Sequence, residues 1–169
     1  MKVVMIIAQK DFRDEELFDT KEVFENSGLY VDVAASEEKT ASGMLGGSIE
    51  PDIKISEIEV SKYDAIVFIG GPGAYDFIDD NSIHELANNF YGQRKLVAAI
   101  CIAPAILARA GLLKNIKATI HDSGVEYLQN AEAIYTGNDV EVGENIITAN
   151  GPAVASLFGH QIVKYLKTK

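Results

Sequence analysis

The chain has a single cysteine among its 169 residues, no tryptophan and only three histidines. One cysteine cannot form an intramolecular disulfide or build a cysteine-rich metal site, and a reducing cytoplasm is the compartment that such usage predicts. The histidines lie far apart and lack the HExxH spacing of zinc enzymes. We therefore expect neither a metal nor a cofactor.

Long apolar runs and an excess of basic residues are also missing. The longest apolar stretch, around residues 96–107, is too short to cross a bilayer. The N-terminal MKVVMII has no small-residue cleavage site and is typical of a buried strand rather than a signal peptide. A net charge of −10 argues against nucleic acid as the main partner. The sequence thus predicts a cytoplasmic globular protein that binds neither membranes nor nucleic acids.

Compact apolar runs alternate with helical patterns along the chain. Strands are predicted over residues 2–7, 29–34, 63–69, 96–100, 118–121 and 145–148, with a hairpin within the glycine-rich 42–55 and short β segments within 131–142. Helices are predicted from Asp14, as N-cap, to Gly28, and over residues 82–91, 104–109 and 153–166. The alternation predicts one domain over residues 1–169 with a doubly wound, mostly parallel sheet.

The turn at Cys101 is the most informative segment. In doubly wound folds the site lies at the carboxyl ends of the strands, and Cys101 ends a buried strand three residues before a helix begins at Pro104. Such a sharp turn raises a nucleophile above the sheet, and the positive end of the helix predicts a lowered cysteine pKa. A small buried hydrophobe is the competing interpretation.

Three further features are weaker indications of a functional site than the turn at Cys101. The backbone N–H groups of the loop from Gly70 to Gly73 are suited to binding an oxyanion, and a plain tight turn is an equal alternative. Glu16 lies in the first turn of a helix, where acidic residues are common for electrostatic reasons alone. His121 follows a short apolar strand and is suited to orienting or protonating a substrate, although most such histidines are structural.

Taken together, FRDEEL, FIGGPG, AAICIAPAILARAG and ITANGPAVASLFGHQIVKYL resemble the ThiJ/PfpI superfamily over nearly the whole chain. The resemblance implies a flavodoxin-like three-layer α/β/α sandwich, a mostly parallel sheet and a nucleophile elbow. It also implies a homodimer or higher homo-oligomer.

The same resemblance assigns roles by position. Cys101 corresponds to the nucleophile, Glu16 to the glutamate that hydrogen-bonds it, and His121 to a histidine near the cysteine in one branch of the superfamily. The residues that correspond to the oxyanion and substrate-binding positions are Gly70, Gly71, Ile102, Gly151 and Pro152.

One departure guides the functional prediction. PfpI-type proteases carry histidine directly after the cysteine, whereas this chain has Ile102, which cannot act as a base. We therefore predict a cysteine-dependent, cofactor-independent stress-response enzyme of glyoxalase or deglycase type, acting on small reactive aldehydes or glycated substrates. The alternatives are a redox-sensing or chaperone-like protein acting through oxidation of Cys101, and a cysteine amidase or peptidase.

Overall fold

The computed structural model describes all residues, 1–169, in twelve strands and six α-helices. The strands are β1 Lys2–Ile6, β2 Lys10–Phe12, β3 Tyr30–Ala35, β4 Ala41–Gly43, β5 Ser48–Ile49, β6 Ile53–Lys54, β7 Ala65–Phe68, β8 Leu96–Ile100, β9 Lys117–Ala118, β10 Ile134–Tyr135, β11 Val140–Val142 and β12 Ile146–Ala149. The helices are α1 Asp14–Asn26, α2 Tyr75–Ile78, α3 Asn81–Gly92, α4 Pro104–Arg109, α5 Val125–Asn130 and α6 Ala155–Lys167.

Seven strands form the central sheet in the order β11-β12-β8-β7-β1-β3-β6. All neighbouring pairs are parallel except β11 and β12. The chain builds outward from β1 to β3 on one side and then returns to place β7 and β8 on the other. This reversal of strand order is the position at which open α/β sheets hold their sites, and Cys101 follows β8 there.

Helices cover both faces of the sheet, because alternate residues of its strands are apolar on both sides. On β1, Val3 and Met5 pack with Phe24 of α1 and Phe158 of α6. The opposite face packs against α3, α4 and α5. Cys101 lies against both apolar clusters, at the edge where they meet. The predicted flavodoxin-like three-layer sandwich is confirmed.

The start of α1 differs from the prediction. Arg13, not Asp14, is the N-cap, and Asp14 is the first helical residue. The buried Asp14 carboxylate instead accepts hydrogen bonds from the N–H groups of Leu45 (2.8 Å) and Gly47 (2.6 Å). A Cβ added to Gly43 or Gly47 would lie 2.4 Å from that carboxylate, so the glycines permit the close approach.

The remaining differences concern short elements. The predicted hairpin is β4 with β5, which are antiparallel, whereas β6 leaves it to pair with β3 in the main sheet. The strand predicted over residues 118–121 ends at Ala118, and β2, α2 and α5 were not predicted. None of the helices is long and apolar enough to span a membrane.

Candidate active site

The backbone of Cys101 forms the predicted elbow between β8 and α4. Its φ of +63° lies in the left-handed region that residues with a Cβ rarely adopt. Hydrogen bonds hold it on both sides, since the Cys101 N–H donates to the Ala149 carbonyl and its carbonyl accepts from the His121 N–H, both at 2.9 Å. A strained conformation that is held this firmly is typical of functional positions.

Glu16 is the polar partner of this cysteine. It lies in the first turn of α1 and is completely buried. Oε2 accepts the Gly70 N–H at 2.9 Å, while Oε1 is buried without a well-aligned partner. Burial raises the pKa of Glu16 to about 7, although hydrogen bonds from Cys101 and Gly70 act in the opposite direction. A carboxyl group with a pKa near neutrality can both accept and return a proton.

Gly70 and Gly71 allow Glu16 and Cys101 to approach each other. A Cβ added to Gly70 would lie 2.7 Å from the Cys101 Cβ and 2.8 Å from Glu16 Oε2, so no larger residue fits there. Gly71 adopts φ +97°, and a Cβ on it would lie 2.5 Å from the Arg13 nitrogen. The glycine loop therefore has a specific steric role and is more than a tight turn.

The electrostatics of Cys101 differ from our expectation. Burial and the negative charge of Glu16 together raise the pKa of the Cys101 thiol to about 12. Hydrogen bonds from the backbone N–H groups of Gly71 and Ile102 lower the pKa but do not compensate. The predicted lowering of the cysteine pKa is wrong because desolvation and a nearby carboxylate outweigh the start of a helix of only six residues.

His121 lies at the rim of the same site. Its side chain is exposed, and its Nδ1 accepts a hydrogen bond from the Ser123 N–H (3.3 Å) and lies 2.9 Å from the Ser123 hydroxyl. The proton of the neutral ring therefore resides on Nε2. A Cβ on Gly151 would lie 3.8 Å from the imidazole, and Pro152 follows in the turn before α6.

Ile102 contributes only its backbone to the site. Its side chain is buried in the core, beside Gly124, where a Cβ would lie 2.7 Å from Ile102 Cδ1. The side chain at position 102 is therefore part of the core. A Cys–His arrangement of the protease type is absent at this position.

Arg13 and Glu15 form a part of this region that sequence reasoning missed. The Arg13 guanidinium makes two bonds to the Glu15 carboxylate, Nε to Oε2 at 2.8 Å and Nη2 to Oε1 at 3.0 Å. The Arg13 N–H donates to the Gly70 carbonyl at 3.1 Å. The sequence did contain a signal for this ion pair, because Arg13 and Glu15 are oppositely charged residues two positions apart and next to Glu16.

The site has no metal-binding cluster and lies outside the main surface cavities. None of the five main surface cavities includes Cys101. No three histidine, cysteine, aspartate or glutamate side chains lie close enough together to hold a metal ion. The arrangement provides a nucleophile, a buried proton acceptor and two backbone donors for an oxyanion, which together suit addition to a small carbonyl compound.

Comparisons with known sequences place this geometry in context. An uncharacterized protein of Methanocaldococcus jannaschii is 44% identical, over 98% of this chain and 82% of that protein. A glutathione-independent glyoxalase of Caenorhabditis elegans is 26% identical, over 97% of this chain and 88% of the relative. A deglycase of Pyrococcus horikoshii is 28% identical, over 99% of this chain and all of the relative.

The fold is also similar to solved structures. The ThiJ/PfpI domain protein from Brachyspira murdochii superposes with a TM-score of 0.97 at 32% identity, covering 99% of this chain and 97% of that one. The family model described as the DJ-1/PfpI family matches residues 1–165. The match of the family model to residues 1–165, together with this structural similarity, shows that the chain belongs to the DJ-1/PfpI family.

Proposed function

We propose that the protein is a cysteine-dependent enzyme that acts on small reactive aldehydes, above all α-oxoaldehydes, or on their adducts, without a cofactor. The observation that carries this proposal is the pairing of Cys101, on its strained elbow, with a buried carboxyl group whose pKa is raised to about 7. The glyoxalase and deglycase names of two relatives support the same class of chemistry.

The first step is addition of the Cys101 sulfur to the aldehyde carbon. Because burial keeps the thiol protonated, Glu16 takes the thiol proton as the S–C bond forms. The carbonyl π electrons move to oxygen, and this oxyanion faces the N–H groups of Gly71 and Ile102. Return of the proton from Glu16 to that oxygen completes a hemithioacetal.

The second step moves hydrogen between neighbouring carbons. The former aldehyde carbon loses its hydrogen as a proton while the ketone oxygen gains one, which gives an enediol. The ketone carbon then gains a proton as the hydroxyl beside sulfur loses its own, so the product is a thioester of a 2-hydroxy acid. Glu16 and His121 accept and donate these protons, one residue on each side of the sulfur-bound substrate. Hydrolysis by one water releases the hydroxy acid and restores the thiol, so no external oxidant or reductant is consumed.

Turnover of methylglyoxal to lactate tests this proposal directly. We expect Cys101→Ser to abolish turnover and Glu16→Gln to lower kcat by about a hundredfold, the usual contribution of a positioned acid–base group. His121→Gln is expected to lower kcat about tenfold, whereas His160→Gln on α6 is the matched control and leaves kcat unchanged. Wild-type activity in Cys101→Ser contradicts the mechanism.

Deglycase activity follows from the same residues. Early adducts of α-oxoaldehydes with amines or thiols carry the same electrophilic carbon, and its release to Cys101 regenerates the free amine or thiol. The exposed rim at His121 admits an adduct held on a larger molecule. Mass spectrometry of a methylglyoxal-treated peptide measures this activity.

Redox sensing is the second candidate, favoured by the unpartnered Oε1 of Glu16 beside a half-exposed thiol. A protonated Oε1 is suited to donate a hydrogen bond to an oxidised sulfur. Peroxide titration followed by intact mass distinguishes this function. A gain of two oxygens at Cys101 without aldehyde turnover favours the sensor, whereas a peptidase requires cleavage of short fluorogenic peptides that is lost in Cys101→Ala.

A further inference from the structure

Arg13 borders the Cys101 site through the glycine loop, although no catalytic step above uses it. Its backbone packs directly on the glycine loop, with its N–H donating to Gly70. Its side chain begins one helical turn before Glu16, so the two residues share a face of the first turn. The hydrogen bond to Glu15 is the main cause that raises the pKa of Arg13, and attraction to the charged forms of Glu16 and Cys101 adds to it.

Glu15 occupies the binding face of this guanidinium. The two parallel bonds, at 2.8 and 3.0 Å, have the bidentate geometry with which arginine recognises carboxylates. The pair is accessible, since the Arg13 side chain is 27% exposed and that of Glu15 is 37% exposed. On the other side the Arg13 Nη1 contacts the Met44 sulfur at 3.6 Å. Glu15 is thus the only carboxylate bonded to Arg13, and solvent can replace it.

We propose that Arg13 is a specificity-determining residue that binds the carboxylate of a ligand at Cys101. The carbon of this carboxylate is either the one that was bonded to the sulfur or its direct neighbour. Glu15 holds the guanidinium until this anion displaces it. The inference rests on the proposed function for the identity of the anion, which is the 2-hydroxy carboxylate formed by thioester hydrolysis or the carboxylate of an α-oxo acid such as glyoxylate.

The physical basis is an exchange of one carboxylate for another. Because the Arg13–Glu15 pair is partly exposed, its net stabilisation is small, so an anion that is also fixed near the sulfur competes effectively with Glu15. The overall charge of −10 disfavours anions elsewhere on the surface. Arg13 then provides a local positive charge that attracts an anion to the Cys101 site.

Alkylation of Cys101 by iodoacetate and by iodoacetamide tests the inference. The two reagents have nearly the same size and reaction, but only iodoacetate carries a carboxylate one carbon from the new S–C bond. With a single cysteine in the chain, intact mass reports Cys101 alone. The measured quantity is the ratio of the two second-order rate constants in wild type, Arg13→Gln, Glu15→Gln and, as a matched control, Arg109→Gln. Arg109 is the last residue of α4 and pairs with Asp79.

We expect the iodoacetate-to-iodoacetamide ratio to fall about fivefold in Arg13→Gln and to rise severalfold in Glu15→Gln, the range typical of accessible ion pairs. The ratio in Arg109→Gln stays at the wild-type value. An unchanged ratio in Arg13→Gln overturns the proposal, as does an equal slowing by both reagents, since Arg13 then acts on the sulfur alone. An unchanged ratio in Glu15→Gln overturns the role of Glu15.

A second readout separates this inference from the proposed function. In the lactate-forming assay, Arg13→Gln is expected to raise the inhibition constant of the hydroxy acid product about fivefold. The alkylation ratio needs no turnover. If wild type fails to convert methylglyoxal but the ratio changes as expected, the proposed function is wrong and anion binding by Arg13 stands. If wild type converts methylglyoxal but the ratio is the same in wild type and Arg13→Gln, the proposed function stands and anion binding by Arg13 is wrong.

Discussion

Glu16 occupies an environment that acidic side chains rarely tolerate. It is fully buried and has one hydrogen bond to a backbone N–H, while its second oxygen lacks a well-aligned partner. Desolvation favours the neutral acid, and this preference links catalysis to stability, because the folded protein binds the Glu16 proton more tightly than the unfolded chain does. The site is therefore maintained at the expense of stability at high pH.

The pH dependence of unfolding tests that link. A pKa raised from 4.5 to about 7 stabilises the fold below about pH 4.5, and this contribution is lost as the pH rises through 7. The rise corresponds to about 3 kcal/mol. Glu16→Gln removes the titration, so we expect urea midpoints of variant and wild type to be similar at pH 5 and the variant to be more stable at pH 8.

Glu22→Gln, at an exposed position of the same helix, is the control for the loss of one negative charge. Its effect on the urea midpoint should be small and nearly independent of pH. Parallel pH profiles for wild type and Glu16→Gln mean that Glu16 does not titrate differently in the folded protein.

At the residue scale the sequence predicted positions better than ionisation. Cys101 was predictable because a strand and a helix separated by three residues force a sharp turn. The raised pKa of its thiol was not, since it depends on desolvation and on a carboxylate 85 positions away in the sequence. Glu15 and Glu16 are equivalent by helix position, and only the family resemblance distinguished them. Their environments, one paired with arginine and one buried, require the tertiary structure.

Among the elements, the start of α1 and the β4–β5 hairpin form one unit. The Asp14 carboxylate fixes the hairpin by accepting two backbone N–H groups within 2.8 Å. Hydrogen bonds to a charged carboxylate are stronger than those between neutral groups. Met44, in the turn of the hairpin, contacts the Arg13 guanidinium through its sulfur. Asp14 thus connects hairpin geometry to Arg13, which borders the site.

Asp14→Ala should release this unit. Loss of the carboxylate leaves two N–H groups without partners, and we expect a destabilisation of about 2–4 kcal/mol. Hydrogen exchange should show faster exchange at Leu45 and Gly47, while the amides of β8 remain protected. Asp19→Ala on the same helix is the matched control. Unchanged protection at Leu45 and Gly47 contradicts the anchoring role of Asp14.

The strength of the local apolar pattern explains which elements were predictable. Compact apolar strands such as β1, β7 and β8, and the helices α1, α3 and α6, have strong patterns, and their boundaries shifted by only a few residues. The strand β2 spans three residues, KDF, and exists because β4 pairs with it. Its formation depends on pairing with Ser42 and Gly43, which are distant in sequence, rather than on its own composition. Asp14 was assigned to capping for the same reason, because the hairpin that it binds is distant in sequence.

The whole molecule brings three distant segments to one place. Strand order puts the loop after β7 beside the elbow after β8, and the packing of α1 on the sheet brings Glu16 beneath both. This convergence was predictable because parallel strands share one carboxyl edge. The detailed contacts depend on Gly70, where only a hydrogen fits between thiol and carboxyl.

Self-association is the property of the whole molecule that stays a prediction. The family resemblance implies a homo-oligomer, and large apolar side chains such as Leu45 (58% exposed) and Leu157 (43% exposed) remain accessible on the isolated chain. We expect sedimentation velocity at micromolar concentration to give a multiple of the 18.3 kDa chain mass. A species at the mass of one chain contradicts this prediction.

Cys101 also has a consequence for communication across the molecule. Its side chain contacts the apolar clusters on both faces of the sheet, which otherwise are separated by the strands. The space around this one sulfur is therefore bounded by side chains of both helical layers, and a substitution in either layer alters the room that an attached group has.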